Sequence, residues 1–240
     1  MSSPKISLIT GANKGIGLET ARQLAGLGHR VIVAARDLAK ASEAAAGIGG
    51  EAEALQLDVT DAGSIARAVA AVEARHGRLD VLINNAGVLL DAADRNPSEQ
   101  SLDTWRQTFD TNVFGLVAVT QAFLPLLKKS EAARIVNLSS ILGSNALHQI
   151  KDSGIYDYKV PAYNVSKSAV NAWTVHLAHE LKDSPHKVNA AHPGHVATDM
   201  GGAAAPMAIP DGARTSVMLA TLPADGPTGS YTHLGEPLPW

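Results

Sequence analysis

Three side chains near the middle of the chain have the types and spacing for proton-coupled chemistry at a carbonyl: Ser140, Tyr163 and Lys167. Tyr163 and Lys167 stand four residues apart. The stretch from Ala162 to Leu181 reads as one long helix, so both project from the same helical face. An ammonium beside a phenol favours the phenolate, so Lys167 is expected to pull the Tyr163 pKa below its ordinary value near ~10. A tyrosine tuned in this way can give or accept a proton near neutral pH. Ser140 follows Arg134-Ile135-Val136-Asn137-Leu138, an apolar run that reads as a buried strand. A hydroxyl at a strand's carboxyl end opens into the crevice where open α/β sheets bind ligands. Ser139 takes that place if the strand ends one residue earlier. By itself Tyr-x-x-x-Lys is far more often an exposed packing pair, so its meaning depends on the elements around it.

Those elements begin with Ile6-Ser7-Leu8-Ile9-Thr10, a short apolar strand running into Gly11-Ala12-Asn13-Lys14-Gly15-Ile16-Gly17. Leu18 to Leu27 follows with apolar residues at helical spacing. Strand, glycine turn and helix form the context in which a dinucleotide's phosphates meet free N–H groups and the positive end of a helix dipole. A second strand, Arg30 to Ala35, ends at Arg36. An acid at that position would bond the adenosine ribose of NAD. A cation there, with Lys14 in the turn, instead predicts NADP(H). The plainer reading is that Arg36 and Asp37 cap the next helix.

Ala52 to Leu57 is a third strand and closes on Asp58-Val59. Asp61 to His76 is an amphipathic helix with Asp61 as its cap. Leu79 to Ile83 is a fourth strand, followed by Asn84-Asn85-Ala86-Gly87. These small and amide residues suit either close cofactor approach or an ordinary turn. Asp91 to Ser101 is polar and reads as a loop. Leu102 to Thr111 and Val113 to Leu127 read as helices divided by Asn112, a poor helix-interior residue. Asn112 is either a kink or a capping residue, or its freed carbonyl holds the water of a proton relay. The second role requires the fold to bring it near Lys167. Alternating strands and helices argue parallel βαβ units with right-handed crossovers: one α/β domain with a doubly wound parallel sheet, a Rossmann fold, over residues 1–240.

Composition narrows the function classes. The 240 residues are 45% hydrophobic but only 4% aromatic, which predicts a core of Ala, Val, Leu and Ile around a buried sheet. A net charge of −3 without a basic block argues against nucleic acid. The absence of cysteine excludes disulfides, thiol nucleophiles and thiolate metal sites. Met1 to Lys5 leads straight into a strand, and no apolar run approaches ~18 residues. The expectation is a cytoplasmic protein with no membrane partner.

Taken jointly, Thr10-Gly11-x-x-x-Gly15-Ile16-Gly17, Asp58, Asn84-Asn85-Ala86-Gly87, Asn112, Ser140, Tyr163-x-x-x-Lys167 and Pro193-Gly194 resemble the short-chain dehydrogenase/reductase family. The resemblance is to its compact single-domain branch and covers about Lys5 to Thr198. Asn13-Lys14 with Arg36, and more weakly the ending Gly235 to Trp240, are similar to NADPH-dependent carbonyl reductases. The resemblance implies Tyr163 as proton donor, Lys167 as its pKa-lowering neighbour and ribose ligand, Ser140 as the second donor to the carbonyl oxygen, and Asn112 as the residue ordering a relay water. It further implies cofactor contacts from Asp58 and Val59 at the adenine, Asn85 at a ribose with Ala86 and Gly87 beside it, and Pro193, Gly194, Val196 and Thr198 at the carboxamide end. Ser140 and Tyr163 are 23 positions apart, longer than is usual in the family. The extra segment, Leu147 to Val160, carries no second catalytic pair, since Tyr156 and Tyr158 lack a lysine four residues on. It leaves monomer and homo-oligomer both open.

Nine histidines raise the question of a metal. His176 and His179 share a helix face without a third ligand, so no metal site is expected. His192 and His195 flank Pro193-Gly194 and read as loop residues, with His195 near the rim. Ala197 to Ala213 is rich in Ala, Gly, Pro and Met and reads as a lid over a small-molecule substrate. It has no arginine and no aromatic residue, which points to neutral, apolar ketones or aldehydes. The predicted activity is NADPH-dependent carbonyl reduction. Its rivals are an NAD-linked alcohol dehydrogenase and a non-catalytic NADP(H)-sensing protein, the latter disfavoured by Ser140, Tyr163 and Lys167 together.

Overall fold

Buried strands that each return through a helix must run parallel, and seven of the eight strands among the described residues do. The computed structural model describes residues 4–92 and 94–240. In chain order the elements are β1 (Ile6–Thr10), α1 (Gly15–Gly26), β2 (Arg30–Ala35), α2 (Leu38–Ile48), β3 (Glu53–Gln56), α3 (Ala62–His76), β4 (Val81–Asn84), α4 (Leu102–Phe109), α5 (Leu116–Leu127), β5 (Arg134–Leu138), α6 (Pro161–Glu180), β6 (Lys187–Ala191), α7 (Ile209–Ala220), β7 (Tyr231–His233) and β8 (Glu236–Pro237). The sheet order is β3-β2-β1-β4-β5-β6-β7-β8, and β8 runs antiparallel to its neighbour. Strand order reverses between β1 and β4, so the crevice for a ligand opens at the carboxyl ends of these two strands.

Alternate residues of each strand feed two cores. Leu8, Ile32, Leu82 and Ile135 pack with Ile65 of α3, Phe123 of α5 and Leu177 of α6. Their neighbours Ile9, Val33, Ile83 and Val136 pack with Leu24 of α1, Ala41 of α2 and Leu219 of α7. Period-two alternation of aliphatic side chains thus places helices on both faces. Asp61 caps α3 by accepting from Gly63 N–H at 2.8 Å. Asp37 caps α2, accepting from Ala39 N–H at 2.9 Å and Lys40 N–H at 3.3 Å. The cap is therefore Asp37 alone, and the Arg36 side chain has no part in it.

Two differences from the boundaries that the sequence suggests bear on the site. Asn112 does not break a helix. Asp110–Gly115 forms a π-turn, so Leu102–Leu127 is one continuous helix of 26 residues. The extra residue is absorbed by longer-range backbone bonding. By length and composition alone this helix could cross a membrane, a property hidden when Asn112 is read as a divider. In this fold its face bearing Val119, Phe123, Leu126 and Leu127 is buried against the sheet. The expected lid also divides. Residues 197–208 form a loop whose ends are pinned by a bridge between Val196 and Met207, and Ile209 already starts α7. Pro210 and Asp211 in its first turn suit a helix start.

Candidate active site

The glycine turn after β1 is built by the chain's own polar groups. Thr10 Oγ1 accepts from the N–H groups of Asn85 and Ala86, both at 3.0 Å. Asn85 Nδ2 donates to the carbonyls of Thr10 at 2.8 Å and Gly11 at 3.2 Å. The Asn85 Nδ2 is thus engaged in locking the turn. Gly17 is required by that lock, since a Cβ there would come within 2.4 Å of Asn85 Nδ2. Gly87 is a different case. A Cβ on it would meet Asn112 Oδ1 at 3.4 Å and Lys167 Nζ at 3.6 Å, ordinary contacts, so the fold alone would tolerate a side chain there. The space it leaves lies beside two polar groups.

Helix α1 begins at Gly15 with no side chain capping it, so its first N–H groups face the crevice. Asn13, Lys14, Gly15 and Ile16 line this helix start, and Thr198 Cγ2 would sit 3.6 Å from a Cβ on Gly15. Uncapped N–H groups, a positive helix end and the open space at Gly87 fit a dinucleotide. The two cations expected at the cofactor differ in their partners. Lys14 Nζ is paired with Asp199 at 2.5 Å, an exposed bridge. Among the described residues Arg36 makes no ion pair, and its carbonyl accepts from Gln56 Nε2 at 3.3 Å. Asp58 Oδ1 accepts from the N–H and hydroxyl of Thr60, at 2.9 and 2.7 Å. Val59 packs beneath Gly115 of the π-turn.

On the other side of the crevice, β5 ends at Leu138 and two serines follow. Ser139 turns inward, and its hydroxyl donates to Asn171 Oδ1 of α6 at 2.6 Å. Ser140 caps a short 3-10 turn, and its Oγ accepts from Leu142 N–H at 3.2 Å. Its own proton stays available to a second oxygen, and Ser140 rather than Ser139 faces Tyr163. Lys167 is 4% exposed, and its Nζ donates to the Leu138 carbonyl at 2.7 Å. That ammonium lies 5.5 Å from the centroid of the Tyr163 ring. Asn112 joins the group through α6: its Nδ2 donates to Ser166 Oγ at 3.0 Å and to the Val88 carbonyl at 2.9 Å, while its Oδ1 accepts from Val88 N–H at 2.8 Å. Asn112 and Lys167 therefore meet at Gly87, the juxtaposition on which a relay depends.

The expected direction of the Tyr163 pKa is reversed. Burial pushes it up to about 12, a hydrogen-bonding contact with Ser140 opposes this, and Tyr158 adds to the rise. Burial also holds Lys167 down, at about 8. Desolvation dominates at both groups, and the ammonium lies over the Tyr163 ring.

One supporting residue is not legible in the sequence. Asp91, at the start of a stretch whose polarity reads as a plain loop, is buried and accepts from the N–H groups of Ala162 at 2.8 Å and Tyr163 at 3.0 Å. It caps α6 from 71 residues away. Helix α6 has no local side-chain cap at Val160, and an apolar residue at that position is the one signal the sequence offers. Pro193 and Gly194 follow β6, and Val196 is held by the bridge to Met207.

Comparison with known proteins places the whole chain in one family. The family model described as short chain dehydrogenase matches residues 5–208. The short-chain dehydrogenase/reductase ATR10 of Stachybotrys chlorohalonatus is 37% identical over 97% of this chain and 89% of its own. A (+)-neomenthol dehydrogenase of Arabidopsis thaliana is 31% identical over 95% of this chain and 96% of its own. Among solved structures, an NADPH-bound carbonyl reductase from chicken fatty liver superposes with a TM-score of 0.86 at 29% identity, with both chains fully covered.

Proposed function

Since the chain belongs to the short-chain dehydrogenase family of oxidoreductases, we propose that it reduces the carbonyl of a small ketone or aldehyde to an alcohol with NADPH. The observation that carries this reading is the Ser140 hydroxyl, oriented by Leu142 N–H, in hydrogen-bonding contact with the buried Tyr163 phenol, with Asn112 and Lys167 meeting at Gly87. Gly11 to Gly17, Gly87 and the Pro193-Gly194 turn would hold the dinucleotide, whose reduced nicotinamide would supply the hydride, both electrons included, for the carbonyl carbon. The Tyr163 O–H bond breaks and its proton ends on the carbonyl oxygen. Ser140 donates a hydrogen bond to that same oxygen as charge builds on it. Burial holds Tyr163 up and Lys167 down, a direction that favours return of a proton from the Lys167 ammonium to the phenolate left behind. Asn112, meeting Lys167 at Gly87, marks the side from which the lysine is refilled.

Arg36 and Lys14 are the side chains for a 2′-phosphate, and the NADPH named for the chicken liver carbonyl reductase supports the choice. The bridge to Asp199 favours a second reading, NAD-linked turnover, because it occupies Lys14. The cation-free loop at 197–208, with Met200 and Met207, supports a neutral, apolar substrate. The test follows loss of reduced-nicotinamide absorbance over a panel of neutral ketones and aldehydes, with NADPH and NADH in parallel. Tyr163→Phe should keep cofactor binding and lose at least ~10²-fold in turnover. Near-wild-type turnover of that variant would overturn the mechanism, and equal use of both cofactors would overturn the assignment to NADPH.

A further inference from the structure

The peptide group joining Ser140 to Ile141 is held at both ends by side chains from the far edge of the sheet. Its carbonyl accepts from the Tyr231 hydroxyl at 2.5 Å and from Gly143 N–H at 2.8 Å. Its N–H donates to His192 Nδ1 at 3.1 Å. Tyr231 lies on β7 and is 2% exposed, while His192 directly follows β6 and is 8% exposed. Neither side chain can swing freely. The Tyr231 ring rests on Trp240 with centroids 5.3 Å apart, and the His192 ring rests on His233 at 4.9 Å. His233 Nδ1 also bonds the His192 carbonyl at 2.9 Å. Because His192 Nδ1 is an acceptor, the imidazole is neutral with its proton on Nε2. That same nitrogen accepts from Gly194 N–H at 3.4 Å. One lone pair is thereby shared between the Ser140 turn and the Pro193-Gly194 turn.

We propose that Tyr231 and His192 are positioning residues that clamp the Ser140–Ile141 peptide and so aim the Ser140 hydroxyl at the reacting oxygen. The inference rests on the carbonyl-reduction reading and extends it to two strands the sequence does not mark as functional. Rotation of one peptide plane moves the Ser140 Oγ off its line to the substrate, since the torsions on either side of Cα carry the side chain with them. A displacement of about 1 Å at such a group costs on the order of 10²-fold in rate. A hydroxyl that merely held β7 in place would affect stability and leave the contribution of Ser140 intact. Tyr231→Phe is the suitable probe, because Gly143 N–H still satisfies the Ser140 carbonyl once the phenol is gone.

The experiment has two arms. In the first, kcat for carbonyl reduction is measured for wild type, Tyr231→Phe, Ser140→Ala and the double variant, alongside cofactor affinity and thermal unfolding. Tyr231→Phe should lower kcat by about 10- to 100-fold with cofactor affinity within about twofold of wild type. In the Ser140→Ala background the same change should lower kcat by less than about twofold, because the group it aims is absent. Equal loss in both backgrounds, or no loss in wild type, overturns the proposal. In the second arm, amide exchange at Ile141 is read by NMR without substrate or cofactor. His192→Leu should speed that exchange by roughly tenfold or more, the loss of one hydrogen bond, and His192→Asn should restore most of the protection. Unchanged exchange in both variants also overturns it. A wild-type chain that reduces no carbonyl in the panel refutes the activity reading, and the exchange arm then judges the clamp independently.

Discussion

Acid should destabilise this protein through His192, and the amount follows from its surroundings. Protonation at Nδ1 would remove the acceptor of Ile141 and Gly194 and bury a charge. Burial first, and His233 second, hold its pKa down at about 3. An unfolded histidine titrates near ~6.5. Because the folded value is the depressed one, the unfolded chain binds more protons between these two values. Stability is therefore complete above pH ~6.5 and is lost as pH falls toward ~3. At pH ~5 the loss from this residue is about 2 kcal/mol, growing by about 1.4 kcal/mol per further pH unit. His192→Asn puts an amide oxygen near the position of Nδ1 and removes the titration. Urea unfolding at pH ~7.5 and ~5 should show wild type losing about 2 kcal/mol more than the variant over that interval. His29 and His186 are also held down, chiefly by burial, but they titrate in both proteins and cancel in the difference. Equal losses in the two proteins would refute the assignment of a neutral, acceptor-only His192.

The other expectations concern the crevice and its supports. With Lys167 held near 8, kcat/KM for the reduced cofactor should fall as pH rises through about 8, and Lys167→Arg should abolish that break whatever its absolute rate; a break that persists in the variant belongs to another group. Asp199→Asn should release Lys14 and tighten NADPH by up to about fivefold while leaving NADH unchanged, with the gain shrinking in high salt; equal effects on both cofactors in a binding titration would show that Lys14 does not reach a 2′-phosphate. Asp91→Ala should lower the unfolding free energy by about 1–3 kcal/mol and Asp91→Asn by less, since an amide oxygen keeps one of the two bonds; denaturation midpoints equal to wild type for both would mean α6 needs no remote cap.

Local signals carry most of the architecture and the central pair. The strand, glycine turn and α1 announce themselves within twenty or so residues, and α6 falls within one residue of its expected ends at both termini. What sequence does not supply depends on contacts between distant segments. Strands β7 and β8 are three and two residues long and exist through pairing with β6 and each other. Tyr231, His192 and Asp91 acquire their partners only when strands and loops far apart in the chain are brought together. The Tyr163 pKa departs from its expected direction for a related reason: the charge of Lys167 is visible in the sequence, but the dry surroundings that overrule it are not. The part Asn85 plays in locking the glycine turn is hidden for the same reason, since its partners Thr10 and Gly11 lie on another strand and its turn.

The π-turn at Asp110–Gly115 leaves a mark on the outer surface as well as in the crevice. Trp105, Phe109 and Phe114 form a ladder with ring centroids 6.1 and 6.3 Å apart, stepping four residues and then five. A step of five returns to one face where the helix carries an extra residue, because each residue turns an ordinary α-helix by about 100°. The same inserted residue that sets Asn112 toward Lys167 on the inside therefore sets Phe114 under Phe109 on the outside. Any change that restores a regular α-helix there dismantles both at once. The indole of Trp105 stands at the end of this ladder, so its fluorescence is a natural optical reporter, read from the solvent side, of a turn whose working side chain is buried on the other.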